Sequence, residues 1–372
     1  MSVILFIIIL GILVFTHELG HFLAAKFFGV RVDEFAIGFP PRLFSKKMGE
    51  TVYAINAVPI GGYVKIYGED SNNEEEKKEF VGEKKVGKKI SDIAKWKQAI
   101  LLFSGVMGNL IFAWFLLSIG FMVGLPTSPG GPFTNEIKDQ KLIITNVLPG
   151  SPAEIAGIKP GDQILSLKNK ETTASELNGQ SAKSFISSLP AGSIVELNLA
   201  RPKSPVAIIA DVTIKDGVVA GGRGIGISME DAGILKLNFP KSIIAGIVAT
   251  VSLTKSVAVG IIGLLHDVFV GQAHFSSLTG PVGMAIMVGD AEKVGFLSLL
   301  FLTVIISINL AVINVVPFPA LDGGRLFFLG IEAIIRKPLN PKFAMRANQI
   351  GFVFLLFLMA VITYKDIIKL IK

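Results

Sequence analysis

Apolar residues fall into long blocks along this chain, separated by polar stretches. The first block runs from Val3 to Ala25, long enough to cross ~30 Å of hydrocarbon at ~1.5 Å per residue. Further blocks at Ala99–Leu125, Phe296–Val316 and Gly351–Thr363 bring the predicted membrane spans to about four. Near the start of the second span, Ser104-Gly105, Gly108 and Asn109 would let a neighbouring helix approach closely. Ser242–Phe269 is apolar too. There Ile243, Ile247, Val251, Thr254, Ala258, Ile261, Leu265 and Val268 recur at helical period, and Lys255 and His266 interrupt the run. That pattern predicts amphipathic helices lying on the membrane surface.

The polar stretches differ from one another. Val32–Phe39 and Thr51–Ile66 are rich in β-branched and aromatic residues. Gly38-Phe39-Pro40-Pro41 and Pro59-Ile60-Gly61-Gly62-Tyr63 break them, which predicts short strands with sharp turns. Such an apolar ribbon beside a membrane site can offer its edge to an extended peptide; an ordinary small sheet accounts for it equally well. Asn72–Lys89 is a mixed-charge run that reads as a solvated segment. From Pro126 to Asp231 comes a soluble segment of domain size. It carries Ile143 to Val147, Pro149-Gly150-Ser151-Pro152-Ala153 and Ala156 to Leu165 in succession. These predict a strand, a short helix ended by Gly157, a turn at Pro160-Gly161-Asp162 and a second strand. Val195–Leu199, Ala207–Ile214 and Gly224–Ser228 supply later strands. This segment resembles a PDZ domain of the bacterial protease type, a module that binds peptides at a sheet edge.

The expected architecture is a polytopic α-helical membrane protein with a membrane-associated β-ribbon and an inserted α+β domain. Its parts are a membrane core at 1–125, the PDZ-like segment at 126–231, interfacial helices at 232–295 and a second membrane core at 296–372. The mean hydropathy of +0.61 agrees with that class. A net charge of +7 is accounted for by cytoplasmic lysines, so no nucleic-acid partner is expected. The N-terminal block lacks a basic leader and runs past any cleavage point, so it reads as a retained anchor. There are no cysteines, which excludes disulfides and thiolate ligands.

The chemistry centres on Thr16-His17-Glu18-Leu19-Gly20-His21, inside the first span. On a helix His17 and His21 project from one face, a spacing that suits two ligands of a tetrahedral Zn²⁺. Glu18 lies between them, close enough to act on a metal-bound water as general base. A central membrane carboxylate costs about 2.5–3.5 kcal/mol, so such groups are kept where they line a protein interior and do chemistry. Two histidines packed between helices are the bland alternative. A catalytic zinc needs a third protein ligand. His266 and His274 are candidates, and Asp322, in the break after the third span, fits better.

Charge supplies the orientation. Lys26, Arg31, Lys84, Lys85, Lys88, Lys89, Lys95 and Lys97 lie between spans one and two, and Arg325, Arg336, Lys337, Lys342 and Arg346 between spans three and four. Both segments are therefore expected in the cytoplasm and the PDZ-like segment outside. Lys365, Lys369 and Lys372 run mildly against this. His17, His21 and Asp322 then share the cytoplasmic side only if Ser242–Phe269 crosses the membrane zero or two times.

In these motifs the chain resembles the site-2 protease family of intramembrane zinc metalloproteases. The resemblance rests on His17-Glu18-Leu19-Gly20-His21 together with Asn314-Val315-Val316-Pro317-Phe318-Pro319-Ala320-Leu321-Asp322-Gly323-Gly324. The PDZ-like segment, Pro59 to Lys65 and Leu278-Thr279-Gly280-Pro281-Val282-Gly283 narrow it to the bacterial branch. It implies zinc held by His17, His21 and Asp322, Glu18 as base, Asn314 handling substrate, and Gly61, Gly62 and Tyr63 in a membrane-associated β element. It also implies a bacterial cytoplasmic-membrane protease that cuts single-span substrates such as anti-sigma factors, already trimmed by another protease. A substrate ectodomain or peptide would meet the PDZ-like segment. Two departures stand out: room for one PDZ domain where relatives often have two, and Gly38-Phe39-Pro40-Pro41 in place of Gly-Phe-Gly-Pro. A zinc transporter and a silent peptide-binding scaffold are the rival classes; neither needs an intact Glu18 beside three ligands.

Overall fold

The structure is a computed structural model describing residues 2–68, 87–170, 172–174, 176–201, 206–219, 222–272 and 279–371. Residues 72–86 of the mixed-charge run, His274 and Leu278 lie outside the described residues. The chain divides into two compact units, Met1–Gly120 with Gly246–Lys372, and Phe121–Ala245.

The first unit opens with α1, Ser2–Phe27, whose buried residues are Phe6, Ile9, Leu13, His17, His21 and Ala25. The three- and four-residue steps make one stripe, so the two histidines simply continue an apolar seam. Ile4, Ile8, Ile12 and Leu23 point outward, as suits a helix in lipid. Next come β1, Val32–Met48, and β2, Thr51–Ile66. They are longer than the short strands the sequence predicts, because the Gly38–Pro41 and Pro59–Tyr63 breaks bend the strands without ending them. Each folds back, so the segment Phe35-Ala36-Ile37 is flanked on both sides: by Val64, Tyr63 and Gly62 on one, and Tyr53, Ala54 and Ile55 on the other. Residues 62–66 thereby form one outer edge of the ribbon. Helix α2, Lys95–Val123, follows.

In the second unit the chain turns at Gly124 (φ 118°) into β3, Leu125–Thr127, so the second apolar helix ends before the predicted Leu125. Beyond it lie β4, Ile137–Val147; α3, Pro152–Ile155; β5, Gln163–Lys168; and α4, Gly179–Ser188. Then come β6, Ile194–Ala200; β7, Ile208–Thr213; β8, Lys215–Val219; β9, Gly222–Gly224; and β10, Ile227–Leu235. The six-stranded sheet has the order β3-β10-β4-β5-β6-β7. Helix α3 is capped by Ser151, and the chain leaves it at Gly157 (φ 77°), where only glycine is unstrained. Helix α4, absent from the sequence expectations, starts at Asn178, whose side chain accepts from the Ser181 amide at 2.8 Å. The buried core is Leu142, Ile144, Ile164, Leu167, Val195, Leu197, Leu199 and their neighbours. At its margin Asp162 is fully buried and accepts from Arg201 Nε and Nη2, each at 2.8 Å.

The chain then forms α5, Phe239–Val270; α6, Pro281–Val294; α7, Phe296–Val315; α8, Asp322–Ile335; and α9, Pro341–Ile371. Five described helices are long and apolar enough to cross a membrane: α1, α2, α5, α7 and α9. The extra one against the four predicted is α5. It is one continuous helix rather than several, since Gly260 and Gly263 weaken but do not break it. Helix α9 likewise runs well beyond the predicted Gly351–Thr363 at both ends.

Candidate metal centre

Three elements bring the site together. Helix α1 carries His17, Glu18 and His21. Helix α2 lies against it so closely that a Cβ built on Gly105 would meet His21 Nε2 and lie 2.8 Å from His17 Nε2. Gly20 packs on the Ser104 carbonyl and Gly108 on that of Thr16, so any larger residue would push the two helices apart. The third element is the break after α7. The chain leaves that helix at Val316, passes Ala320 (φ 77°), and restarts as α8 with Asp322 at its first position. Gly323 sits against the Val315 and Val316 carbonyls and Gly324 against that of Phe318, which folds the loop back tightly.

Asp322 Oδ2 is thereby 2.9 Å from His17 Nε2 and 3.3 Å from His21 Nε2, and the two Nε2 atoms are 3.3 Å apart. One ligand atom from each residue lies within 4.8 Å of the others. Both imidazoles are buried and the carboxylate is 17% exposed. Two imidazole nitrogens and one carboxylate oxygen, converging in a protein interior, are the donor set of a catalytic zinc with a position left for water or substrate. The residues therefore fit the metal. His21 Nδ1 lies 2.9 Å from the Leu101 carbonyl, an atom that only accepts, so Nδ1 carries a proton and Nε2 is the nitrogen turned to the cluster.

Glu18 is half-buried and takes a hydrogen bond from the Val64 amide on the outer edge of the ribbon. The carboxylate and the edge strand are thus physically joined. Around that edge, Gly61 (φ 102°) lies under the Phe39 ring, where a Cβ would come within 2.9 Å of Phe39 Cε2. Tyr63 stacks on the same ring at 6.3 Å, and Gly62 pairs with Ile37. Asn314 is half-buried near the end of α7, one turn beyond the buried Ala311 and two beyond Ser307. His266 is exposed on α5 beside Asp267 and takes no part in the cluster.

Sequence reasoning passed over three groups here. The Leu101 carbonyl and the Val64 amide are backbone atoms that no residue type reveals. Arg325, one turn into α8, interacts electrostatically with Glu18. Its position three residues after Asp322 was the available signal.

A chain with several helices of membrane-spanning length, in which two histidines and a carboxylate converge beside a glutamate, has the donor set of a metal-dependent hydrolase. The model of peptidase family M50 matches residues 5–358, and the chain belongs to that family. It is a zinc metalloendopeptidase. A relative in Clostridium perfringens, carrying a zinc metalloprotease name, is 33% identical over 370 residues, covering 99% of each chain. Zinc metalloprotease RasP of Bacillus licheniformis is 30% identical over 444 aligned positions, again with 99% of each chain covered. Regulator of sigma-W protease RasP of Bacillus subtilis is 29% identical over 447, also covering 99% of both.

Proposed function

We propose that the protein hydrolyses a peptide bond within the transmembrane segment of a single-span partner, with zinc held by His17, His21 and Asp322. The observation that carries this is the convergence of those three ligand atoms within 4.8 Å, buried in a helix crossing, with Glu18 tied to a strand edge. A zinc ion held by His17, His21 and Asp322 would supply polarisation of the scissile carbonyl and a more acidic water. Glu18 takes that water's proton and passes it to the departing amine. A helical substrate has its amides already bonded, so it must unwind first. The edge at Gly61, Gly62 and Tyr63 holds it extended by strand addition, placing its backbone beside Glu18. Asn314 hydrogen-bonds the substrate backbone near the metal.

The PDZ-like segment, 126–231, binds a peptide or the substrate's ectodomain and screens what enters. The free edge of β10 supports this reading. That strand pairs with β4 along its length but with β3 only at Gly233–Leu235, while Asp231 accepts from the Gly179 amide that opens α4. A bacterial relative bears a name that makes it a regulator of sigma-W. By extension the substrates here are anti-sigma-like proteins, trimmed beforehand by another protease.

In this reading the enzyme is a multi-pass protein of a bacterial cytoplasmic membrane, its metal centre on the cytoplasmic side and 126–231 outside. Contacts within the first unit support zero crossings by α5. Ser2 touches Gly289, just before α7, and His17 meets Asp322, just after it, so α1 and α7 run the same way. Gly246 packs on Ser118, in the half of α2 away from the histidines. Gly280 packs on Ile362 and Asp366, in the half of α9 away from Pro319 and Gly351. Both ends of α5 therefore belong to the outer face. The eight links from residue 272 to residue 280 reach at most about 29 Å fully extended, too short to recross ~30 Å of hydrocarbon.

The test is co-expression with tagged single-span anti-sigma-like proteins, comparing wild type with Glu18→Gln and measuring zinc in both. Zinc in both with product only from wild type, a loss of at least ~10²-fold, is the expected result. Equal cleavage by the two proteins would remove Glu18 from the mechanism.

A further inference from the structure

We infer that Asn109 orients His17 for the metal, its side-chain oxygen accepting the proton carried on His17 Nδ1. Asn109 lies on α2 and is fully buried. Its amide is 3.4 Å from His17 Nδ1, while its Oδ1, as the amide is turned, is buried without a hydrogen-bond partner. Its own backbone carbonyl accepts from Ser307 Oγ at 2.9 Å, and the neighbouring Gly108 is locked against Thr16. The side chain is therefore delivered to the ring by a fixed backbone.

The two histidines can be treated alike. At His21 the Leu101 carbonyl holds the Nδ1 proton, leaving Nε2 for the cluster. For His17 to ligate through Nε2, its Nδ1 must also carry a proton, and that proton needs an acceptor. Asn109 is the side chain in position. Its two ends exchange by rotation about the last side-chain bond. With nitrogen inward, it serves a ring whose Nε2–H donates to Asp322 at 2.9 Å, and the oxygen is stranded at a cost. With oxygen inward, the same amide serves a ring whose Nε2 lone pair is committed to a metal. Asn109 is thus a positioning residue with one setting for each state of the site.

This inference rests on the proposed ligand set. The experiment measures the zinc dissociation constant of the full-length protein in detergent, by competition with a chromophoric chelator, for wild type, Asn109→Leu and Asn109→Asp. The leucine variant is expected to bind zinc about 10- to 100-fold more weakly, and the aspartate variant, which offers only acceptors, as tightly as wild type or tighter. A pure packing role predicts the reverse order, because a buried carboxylate disturbs packing more than leucine does. Wild-type affinity in the leucine variant, or equal weakening in both, would overturn the inference. Thermal melting of the metal-free proteins checks folding. If the leucine variant does not fold, the aspartate variant decides alone, since weaker binding there contradicts an acceptor role. Wild-type protein that takes up no zinc fails the ligand set itself, whereas a failure confined to the variants concerns Asn109.

Discussion

In the unit Phe121–Ala245, the side chains sealed from solvent are large: Leu142, Ile144, Leu167, Leu197 and Leu199 are at 0–1% exposure. At the helix crossing that carries the metal centre, large sealed residues such as Leu13, Leu101 and Ile308 are joined by small ones, Gly105, Asn109, Ala113, Ser307 and Ala311, while Ile8, Ile111, Phe352 and Val353 face outward. Water drives the first arrangement, because burying leucine removes apolar area from it. Lipid offers no such reward for gathering leucines, so the second relies on close backbone approach and on hydrogen bonds between helices. The protein places its chemistry beside the small residues of that crossing, where the two imidazoles occupy the space that Gly105 leaves.

That contrast can be broken from either side. Gly105→Val, the severest change, drives two methyl groups into both imidazoles; metal analysis of the purified protein is expected to show no stoichiometric zinc and assays no cleavage. In the other unit, Leu197→Ala leaves a cavity where the surroundings cannot collapse, and should cost about 2–5 kcal/mol, read as faster amide exchange across β5, β6 and β7. Zinc uptake by that variant is expected to be unchanged.

Asp162→Asn tests the polar margin of the same core. Burial by itself pushes the Asp162 carboxyl up, but the hydrogen bonds from Arg201 and the Lys159 amide outweigh it and hold the group below the ordinary carboxylate range. A carboxylate depressed in the folded state contributes stability that is fully present above its unfolded value of about 4 and fades as pH falls through the folded one. The variant should therefore lose stability at neutral pH, with the gap to wild type closing in acid. A gap that widened in acid would contradict the assignment. The smallest effect is expected on the lipid-facing side: Val353→Ala should change stability by less than about 0.5 kcal/mol, whereas the same truncation at buried Val304 should be measurable.

What the sequence disclosed follows how local each feature is. His17, Glu18 and His21 share one helical turn, so their common face is legible from spacing alone. Asp322 lies 305 residues from His17, and only topology and family resemblance pointed to it. Asn109 was visible as a small polar residue at a crossing; its partner ring, 92 residues away, was not. The ribbon's outline was legible in its β-branched runs, but the doubling that makes residues 62–66 an edge depends on pairings that glycine and proline bend without interrupting. Helix α4 was not anticipated, because Gly179–Ser188 carries few apolar positions, and its cap at Asn178 shows only in the bond from the Ser181 amide.

Asp366, near the end of α9, accepts from the amides of both Gly280 and Gly283 at 2.9 Å, and so caps α6 from a distance of some eighty residues along the chain. During synthesis those amides lack this acceptor until α9 has been made. Assembly around α6 is thus completed by a helix made well after it, and a protein halted or clipped before residue 366 would carry an unfinished helix start at the head of α6.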